Sequence, residues 1–347
     1  VRTTNTIIVG AGPIGLELAI ALKTAGVHNV HLEAGQVGQT MTWYPRQARF
    51  FSSPERIAIA GIPLHTADQS KASREEYLAY LRSVVTHFDL RVNTYERVVA
   101  IDRQGCGGFV VRTRHGGDTR EYRAAHVVMA VGDMHHPRLL QIPGEELHHV
   151  SHYFDEPHAF FQQDLLIVGG RNSAVEAAIR CFRAGARVTL SYRKTDFDAS
   201  HIKYWLLPEI RHLIRVGSIR FHGGTVPVRI TPTHVTLADV DDSSSTRDVK
   251  ADFALLLTGY EMDPTLFEMA GCKLVGDNKS PQHDEATMET DVPGLFVAGT
   301  AAAGTQVEFR LFIENCHVHV DRIFKAITGR KPDRVYANTN ASAMPES

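Results

Sequence analysis

Ile7-Ile8-Val9-Gly10-Ala11-Gly12-Pro13-Ile14-Gly15-Leu16-Glu17 decides how the rest of this chain is read. Apolar residues make a short buried strand, a glycine turn follows, and a helix begins. Gly10 permits the tight turn, Gly12 lets backbone approach a pyrophosphate, and Gly15 lets the helix pack on the strand. Pro13 suits the first helical turn, where a missing N–H costs nothing. The helix start offers free amides and the positive end of its dipole to phosphate oxygens. A second predicted strand, 29–32, ends at Glu33, where a carboxylate meets the hydroxyl pair of a ribose. Alone, the triplet is an ordinary turn and Glu33 a strand-end charge. Together they read as a dinucleotide site.

The theme returns in Leu165-Leu166-Ile167-Val168-Gly169-Gly170-Arg171-Asn172-Ser173-Ala174-Val175-Glu176. Asn172 or Ser173 is expected to cap the helix. Arg171 stands where the middle glycine would be, and its side chain is tolerable there if it points outward. The strand that follows, 187–190, runs into Ser191-Tyr192-Arg193-Lys194, with cations where the first copy has its acid. Cations there neutralise a ribose 2′-phosphate, which a carboxylate would repel. The second site is therefore expected to prefer NADPH to NADH.

The bulk properties bound the answer. The 347 residues are 43% hydrophobic and 22% charged, an ordinary globular composition of a length that suits two domains. A net charge of −2 favours neither nucleic acid nor an anionic membrane. No apolar run reaches the ~18 residues of a membrane span, and the first strand begins too early to leave room for a signal peptide. A cytoplasmic homo-oligomer acting on a small-molecule acceptor is the expectation. Cys106, Cys181, Cys272 and Cys316 form no C-x-x-C pair, so a sequence-local redox dithiol is absent and the thiols read mostly as small buried hydrophobes. The 19 histidines show no metal-ligand spacing.

Between the fingerprints lie an aromatic-rich stretch, 35–63, and an amphipathic helix, 73–88, opened by a Ser73/Glu76 capping box. A small meander follows (98–101, 109–111, 121–122), then a buried strand, 127–132, ending at Gly132 beside the first strand. Beyond the second fingerprint, 201–215 reads as a helix broken or kinked by Pro208. Strands follow at 218–221, 227–230, 235–237 and 252–259. Thr290-Asp291-Val292-Pro293-Gly294-Leu295-Phe296-Val297-Ala298-Gly299-Thr300 is a turn, a strand and a glycine loop, and a long helix comes after it. The dipole of the helix after Gly299 is placed to stabilise developing negative charge on a cofactor.

Two fingerprints at this spacing, with the late T-x-x-P-G-L-F-V-A-G strand, resemble the two-dinucleotide-binding-domain flavoproteins, of which thioredoxin reductase is the compact form. The resemblance implies an α/β fold of two Rossmann-like three-layer domains, with an NADPH domain (149–255) inserted into an FAD domain (1–148 and 256–330); outside it, 331–347, rich in Asn, Ala, Pro and Ser with no apolar period, reads as a mobile tail. Within that superfamily, Tyr44-Pro45, Phe50-Phe51-Ser52, Asn93-Thr94-Tyr95-Glu96, His152-Tyr153-Phe154, Ala302-Ala303-Gly304 and Phe312-Ile313-Glu314-Asn315 resemble the bacillithiol disulfide reductase group, which also lacks the C-x-x-C pair. On that resemblance FAD is held by Gly10, Gly12, Pro13, Ile14, Gly15, Glu33, Ala34, Gly35, Gln39, Thr40, Tyr44, Phe51, Ser52, Val99, Ala130, Gly132, Gly299 and Thr300. NADPH is held by Gly169, Gly170, Arg171, Asn172, Ser173, Ala174, Arg193 and Lys194.

Thr300, where thioredoxin reductase places an aspartate on the flavin's ribityl chain, agrees with that group, and the contact is made differently or is missing. One departure matters more. Ile14 stands where the group's proposed thiol lies, and isoleucine cannot attack a disulfide. Cys316 is the remaining candidate thiol. The implied activity is hydride transfer from NADPH to flavin and on to a low-molecular-weight disulfide. A flavin monooxygenase, a ferredoxin–NADP reductase and a redox-sensing module without turnover are the competing readings.

Overall fold

The computed structural model describes residues 2–105 and 107–332. Cys106 and all but the first two residues of the expected tail lie outside the described residues. Among the described residues no helix is long and apolar enough to cross a membrane.

β1 (Arg2–Val9) leads into α1 (Pro13–Thr24) and β2 (Asn29–Leu32). Ile7 and Ile8 are fully buried, as the continuous apolar run requires of a strand covered on both faces. α1 is buried along nearly its whole surface, Ile14, Leu16, Leu18, Ile20 and Leu22 included, so it is an interior helix rather than an amphipathic one. α2 (Pro54–Ile57) and α3 (Arg74–His87) follow. The capping box of α3 forms as expected: Glu76 N–H donates to Ser73 Oγ (3.2 Å) and Ser73 N–H to the Glu76 carboxylate (2.7 Å).

β3 (Val92–Asn93), β4 (Glu96–Arg103), β5 (Phe109–His115) and β6 (Asp118–Met129) complete the first run of strands. The strands expected at 121–122 and 127–132 fall in one 12-residue strand, β6, which stops at Met129 and leaves 130–132 outside it. Asp118 to Ala124 pair antiparallel with β5 and Tyr122 to Met129 pair parallel with β1, so one strand serves both the meander and the nucleotide-type sheet.

The chain continues through β7 (His136–Pro137), β8 (Val150–Ser151), β9 (Asp164–Val168), α4 (Asn172–Arg183) and β10 (Arg187–Tyr192). The helix expected over 201–215 is only α5 (Leu207–Arg215). Pro208 sits in its first turn and so opens the helix rather than kinking it. β11 (Arg220–Gly223), β12 (Thr225–Ile230), β13 (His234–Asp239), β14 (Thr246–Lys250) and β15 (Phe253–Leu256) follow. β14 escaped the sequence reading because its residues are exposed except Val249. Order β11-β10-β9-β15-β8 makes a five-stranded sheet, and β12-β13-β14 a separate antiparallel one. The last part holds β16 (Tyr260–Glu261), α6 (Thr265–Met269), β17 (Leu274–Val275), β18 (Ser280–Pro281), β19 (Leu295–Val297) and α7 (Ile313–Thr328).

β19 pairs parallel with β6 and brings the chain back to the first sheet, whose other strands run β3-β2-β1-β6-β5-β4. Residues divide into two compact units. One holds 2–42, 47–136 and 260–332, and the other 43–46 and 137–259. α1, α7 and the first sheet share one apolar core, which includes Leu18, Leu22, Val127, Val297, Val320 and Phe324. α4 covers the second sheet with Ala174, Ala178 and Cys181 turned inward.

A buried charge sits in the meander. The Glu96 carboxylate is fully buried and accepts from Thr113 Oγ1 (2.6 Å), Tyr122 Oη (2.7 Å) and Arg120 Nη1 (2.7 Å). Burial alone would raise its pKa, but the two hydroxyls and Arg120 outweigh burial and hold the carboxyl below its usual range. Glu96→Ala leaves the Thr113 and Tyr122 hydroxyls without an acceptor and is expected to cost about 3 kcal/mol in urea unfolding. A folded pKa below the unfolded one contributes stability at neutral pH that is lost as pH falls through the folded value. The gap between wild type and variant therefore closes in acid.

Candidate active site

The first fingerprint is built by close approach of backbones. Gly10 N–H donates to Leu32 O (2.8 Å) and Ala130 N–H to Val9 O (2.8 Å). A Cβ on Gly10 would collide with the Ala130 carbonyl, and one on Gly15 with the Gly10 carbonyl. Gly10 also holds φ at +105°, which favours glycine. Gly12 is the N-cap of α1, with no side-chain cap, and Pro13 follows it. Nothing among the described residues lies within 4 Å of where a Gly12 Cβ would be. The helix start thus offers uncapped amides to an open space, the arrangement a pyrophosphate fits.

Glu33 is half-buried at the end of β2. Its carboxylate accepts from Ala11 N–H and from Gly35 N–H, both at 2.7 Å. The residue expected to face a ribose therefore also holds the glycine turn, and each of its oxygens keeps lone pairs for further donors. Ala34 is exposed beside it. Gly38 N–H donates to Ala11 O (3.0 Å), and Gln39 Oε1 accepts from Gln36 N–H (2.9 Å), so the loop bearing Gly35, Gln39 and Thr40 folds back on the turn.

The later segments converge on the same place. A Cβ on Gly132 would lie 3.9 Å from Thr300 Oγ1, and one on Gly299 3.6 Å from Ile14 Cβ. Gly10, Ile14, Gly15, Ala130, Gly132, Gly299 and Thr300 are thus brought together. Val99 lies at the irregularity between Val98 and Ala100 in β4, Ser52 is buried and Phe51 is exposed with Lys71 over its ring. Tyr44 falls in segment 43–46, which clusters with the second unit. The long helix expected after Gly299 is α7 (Ile313–Thr328), and a five-residue 3-10 turn, Gly299–Ala303, comes between Gly299 and its start. So short a turn carries little dipole at Gly299 itself.

Two histidines that the sequence reading passed over touch these turns. His31 on β2 is 2% exposed, and its Nε2–H donates to Gly10 O (2.8 Å). His319 on α7 is 5% exposed, and its Nδ1 accepts from Gly299 N–H (3.2 Å). Burial drives both pKa values down to about 4, the Gly10 carbonyl countering it at His31 and Arg322 and His283 adding to it at His319. Both rings are neutral at neutral pH. The only sequence signal was a histidine inside an apolar strand or on the apolar face of a helix, a pattern that core histidines share.

The second fingerprint repeats the design. Gly169 N–H donates to Ser191 O (2.9 Å), as Gly10 does to Leu32. A Cβ on Gly169 would crowd Leu257 O and Ala174 Cβ, and one on Gly170 would collide with the Tyr192 ring. Neither Asn172 nor Ser173 caps α4. The N-cap is Arg171 with no side-chain cap, because Asn172 Oδ1 accepts instead from Lys203 N–H (2.6 Å). Ser173 is exposed. Arg193 and Lys194 are exposed at the end of β10, and Lys194 Nζ lies 3.5 Å from Asp198 Oδ2.

These paired cradles have counterparts among known proteins. A family model described as pyridine nucleotide-disulphide oxidoreductase matches residues 7–299. The chain belongs to this family. Within the family it is 36% identical to bacilliredoxin reductase Bdr of Bacillus subtilis (strain 168) over 327 residues, covering 94% of this chain and 98% of the relative. The structure of bacillithiol disulfide reductase Bdr from Bacillus cereus superposes with a TM-score of 0.89 at 35% identity, covering 95% of this chain and 100% of that one. The Staphylococcus aureus counterpart gives 0.87 at 31%, covering 95% and 99%. The fold is that of a two-Rossmann-domain oxidoreductase of this family.

The three described cysteines, the candidate Cys316 among them, are buried. Cys316 is fully buried, and burial, with Asp133 nearby, pushes it up to about 12. Burial does the same to Cys181 and, with Asp291, to Cys272. None is a thiolate at neutral pH. A Cys106→Ser variant is expected to show no fast-reacting thiol toward an aromatic disulfide reagent when native, and three after denaturation.

Proposed function

We propose that the first unit holds FAD, the second holds NADPH, and the chain catalyses NADPH + H⁺ + RSSR → NADP⁺ + 2 RSH, with RSSR a low-molecular-weight thiol disulfide. The observation that carries this reading is the pair of uncapped glycine cradles with opposite endings, Glu33 on one and Arg193-Lys194 on the other. Similarity to bacillithiol disulfide reductases over nearly the full chain supports the acceptor class.

Bound flavin supplies the two-electron chemistry between nicotinamide and disulfide. The chain supplies position. Amides at the start of α1 and α4 would hold the two pyrophosphates, and Glu33 would accept from the free ribose of FAD while repelling a phosphorylated one. Arg193 and Lys194 neutralise the 2′-phosphate of NADPH. Ile14, beneath Gly299, fills the floor of the cradle with hydrocarbon where a thiol would have to act. With Cys181, Cys272 and Cys316 buried and protonated, no described thiol is placed to relay electrons, and the two-electron chemistry would rest on bound flavin alone.

Anaerobic reduction by NADPH followed by mixing with bacillithiol disulfide tests this. Reoxidation within the turnover time supports it. Slow reoxidation by every disulfide with fast reaction toward dioxygen overturns the acceptor, and a colourless protein that takes up no FAD overturns the whole reading. Replacing Arg193 and Lys194 together by Ala is expected to raise KM for NADPH by about tenfold, with NADH nearly unaffected, since charge-assisted bonds to phosphate are lost. Cys316→Ser is expected to keep full turnover.

A further inference from the structure

The Gly10–Ala11 peptide is gripped at both ends. Its carbonyl accepts from His31 Nε2–H (2.8 Å) and its N–H donates to Glu33 Oε2 (2.7 Å). Both gripping residues come from the same stretch of chain, His31 within β2 and Glu33 just after it. The carbonyl has no freedom on its other side, because α1 passes so close that Gly15 admits no Cβ against it. This one peptide sets the direction in which the following amides leave the sheet. At the far side of the cradle, the Ala298–Gly299 peptide is held by its N–H on His319 Nδ1 (3.2 Å), at a residue whose φ is +72°.

The two bonds have opposite sense. His31 must present a hydrogen on Nε2, and His319 must present a lone pair on Nδ1. Each partner would otherwise be a buried backbone group without a mate, in a turn that glycine leaves free to rotate. Burial keeps both rings neutral, the state both bonds accept.

We infer that His31 and His319 are positioning residues of the flavin cradle, each fixing one glycine peptide in the orientation that FAD requires. The inference rests on the reading that the first unit holds FAD. Neither side chain acts on the reaction itself. They fix the first and last glycine turns before the cofactor arrives, so less ordering remains for binding to impose.

The opposite senses give a test that a merely space-filling role would not reproduce. The amide nitrogen of glutamine stands in for histidine Nε2, and the amide oxygen of asparagine for histidine Nδ1. FAD release from each holoprotein is followed by recovery of flavin fluorescence, with the melting temperature recorded at saturating FAD. His31→Gln is expected to release FAD at near the wild-type rate, while His31→Asn and His31→Leu release it about tenfold faster, the effect of one lost buried hydrogen bond. At 319 the order reverses: His319→Asn is near wild type, and His319→Gln and His319→Leu are faster by a similar factor. Should the leucine variants fail to fold, the Gln/Asn pairs decide, each position on its own. Equal release by Gln and Asn variants at a position overturns the inference there, as does a leucine variant that keeps FAD as wild type does. A wild-type protein that binds no FAD overturns the flavin reading and this inference with it. A wild type that binds FAD, with variants that do not differ, overturns this inference alone.

Discussion

The Gly10 carbonyl is the point at which the first unit is held to tolerance. α1 approaches it because Gly15 has no side chain, β2 reaches it through the His31 ring, and the Cα of Gly10 itself rests on the carbonyl of Ala130. Three close approaches at one residue leave no slack in the angle at which α1 leaves β1. That angle directs the helix amides, so their direction is set by backbone contact distances rather than by any charged side chain. The second unit obeys the same constraint with different atoms: Gly169 sits on Leu257 O and Ala174, and Gly170 on the face of Tyr192.

Chemistry that needs two different carriers is obtained here from one structural idea used twice. The cradles differ where the next strand ends, with a carboxylate, Glu33, after one and two cations, Arg193 and Lys194, after the other. β6 makes the first unit possible, since a single long strand pairs with β1, with the meander through β5, and with the returning β19. The insertion of 137–259 costs the first sheet nothing, because both ends of the insertion lie outside its ladder.

Among the described residues every thiol is buried. Enzymes with a redox-active cysteine pair can store electrons and hand them on later. With Ile14 in the fingerprint and Cys181, Cys272 and Cys316 buried and protonated, the described residues offer no such store. Two neutral histidines instead each hold one glycine peptide of the first unit.

The amino-acid sequence by itself determined the local features. The two strand-turn-helix fingerprints, the capping box of α3, the acid and the bases at the ends of the second strands, and the lack of a C-x-x-C pair were all legible, because each is a pattern of residue types at a set spacing. It could not determine that Glu33 also holds Ala11 and Gly35, that Asn172 turns to Lys203 instead of capping α4, or that Pro208 opens its helix. Those outcomes depend on which groups the fold leaves within hydrogen-bond reach. His319 lies 20 residues from Gly299 and His31 lies 21 from Gly10, and no periodicity links either pair. Only the tertiary structure decided them, because a buried backbone group takes whichever partner packing places beside it.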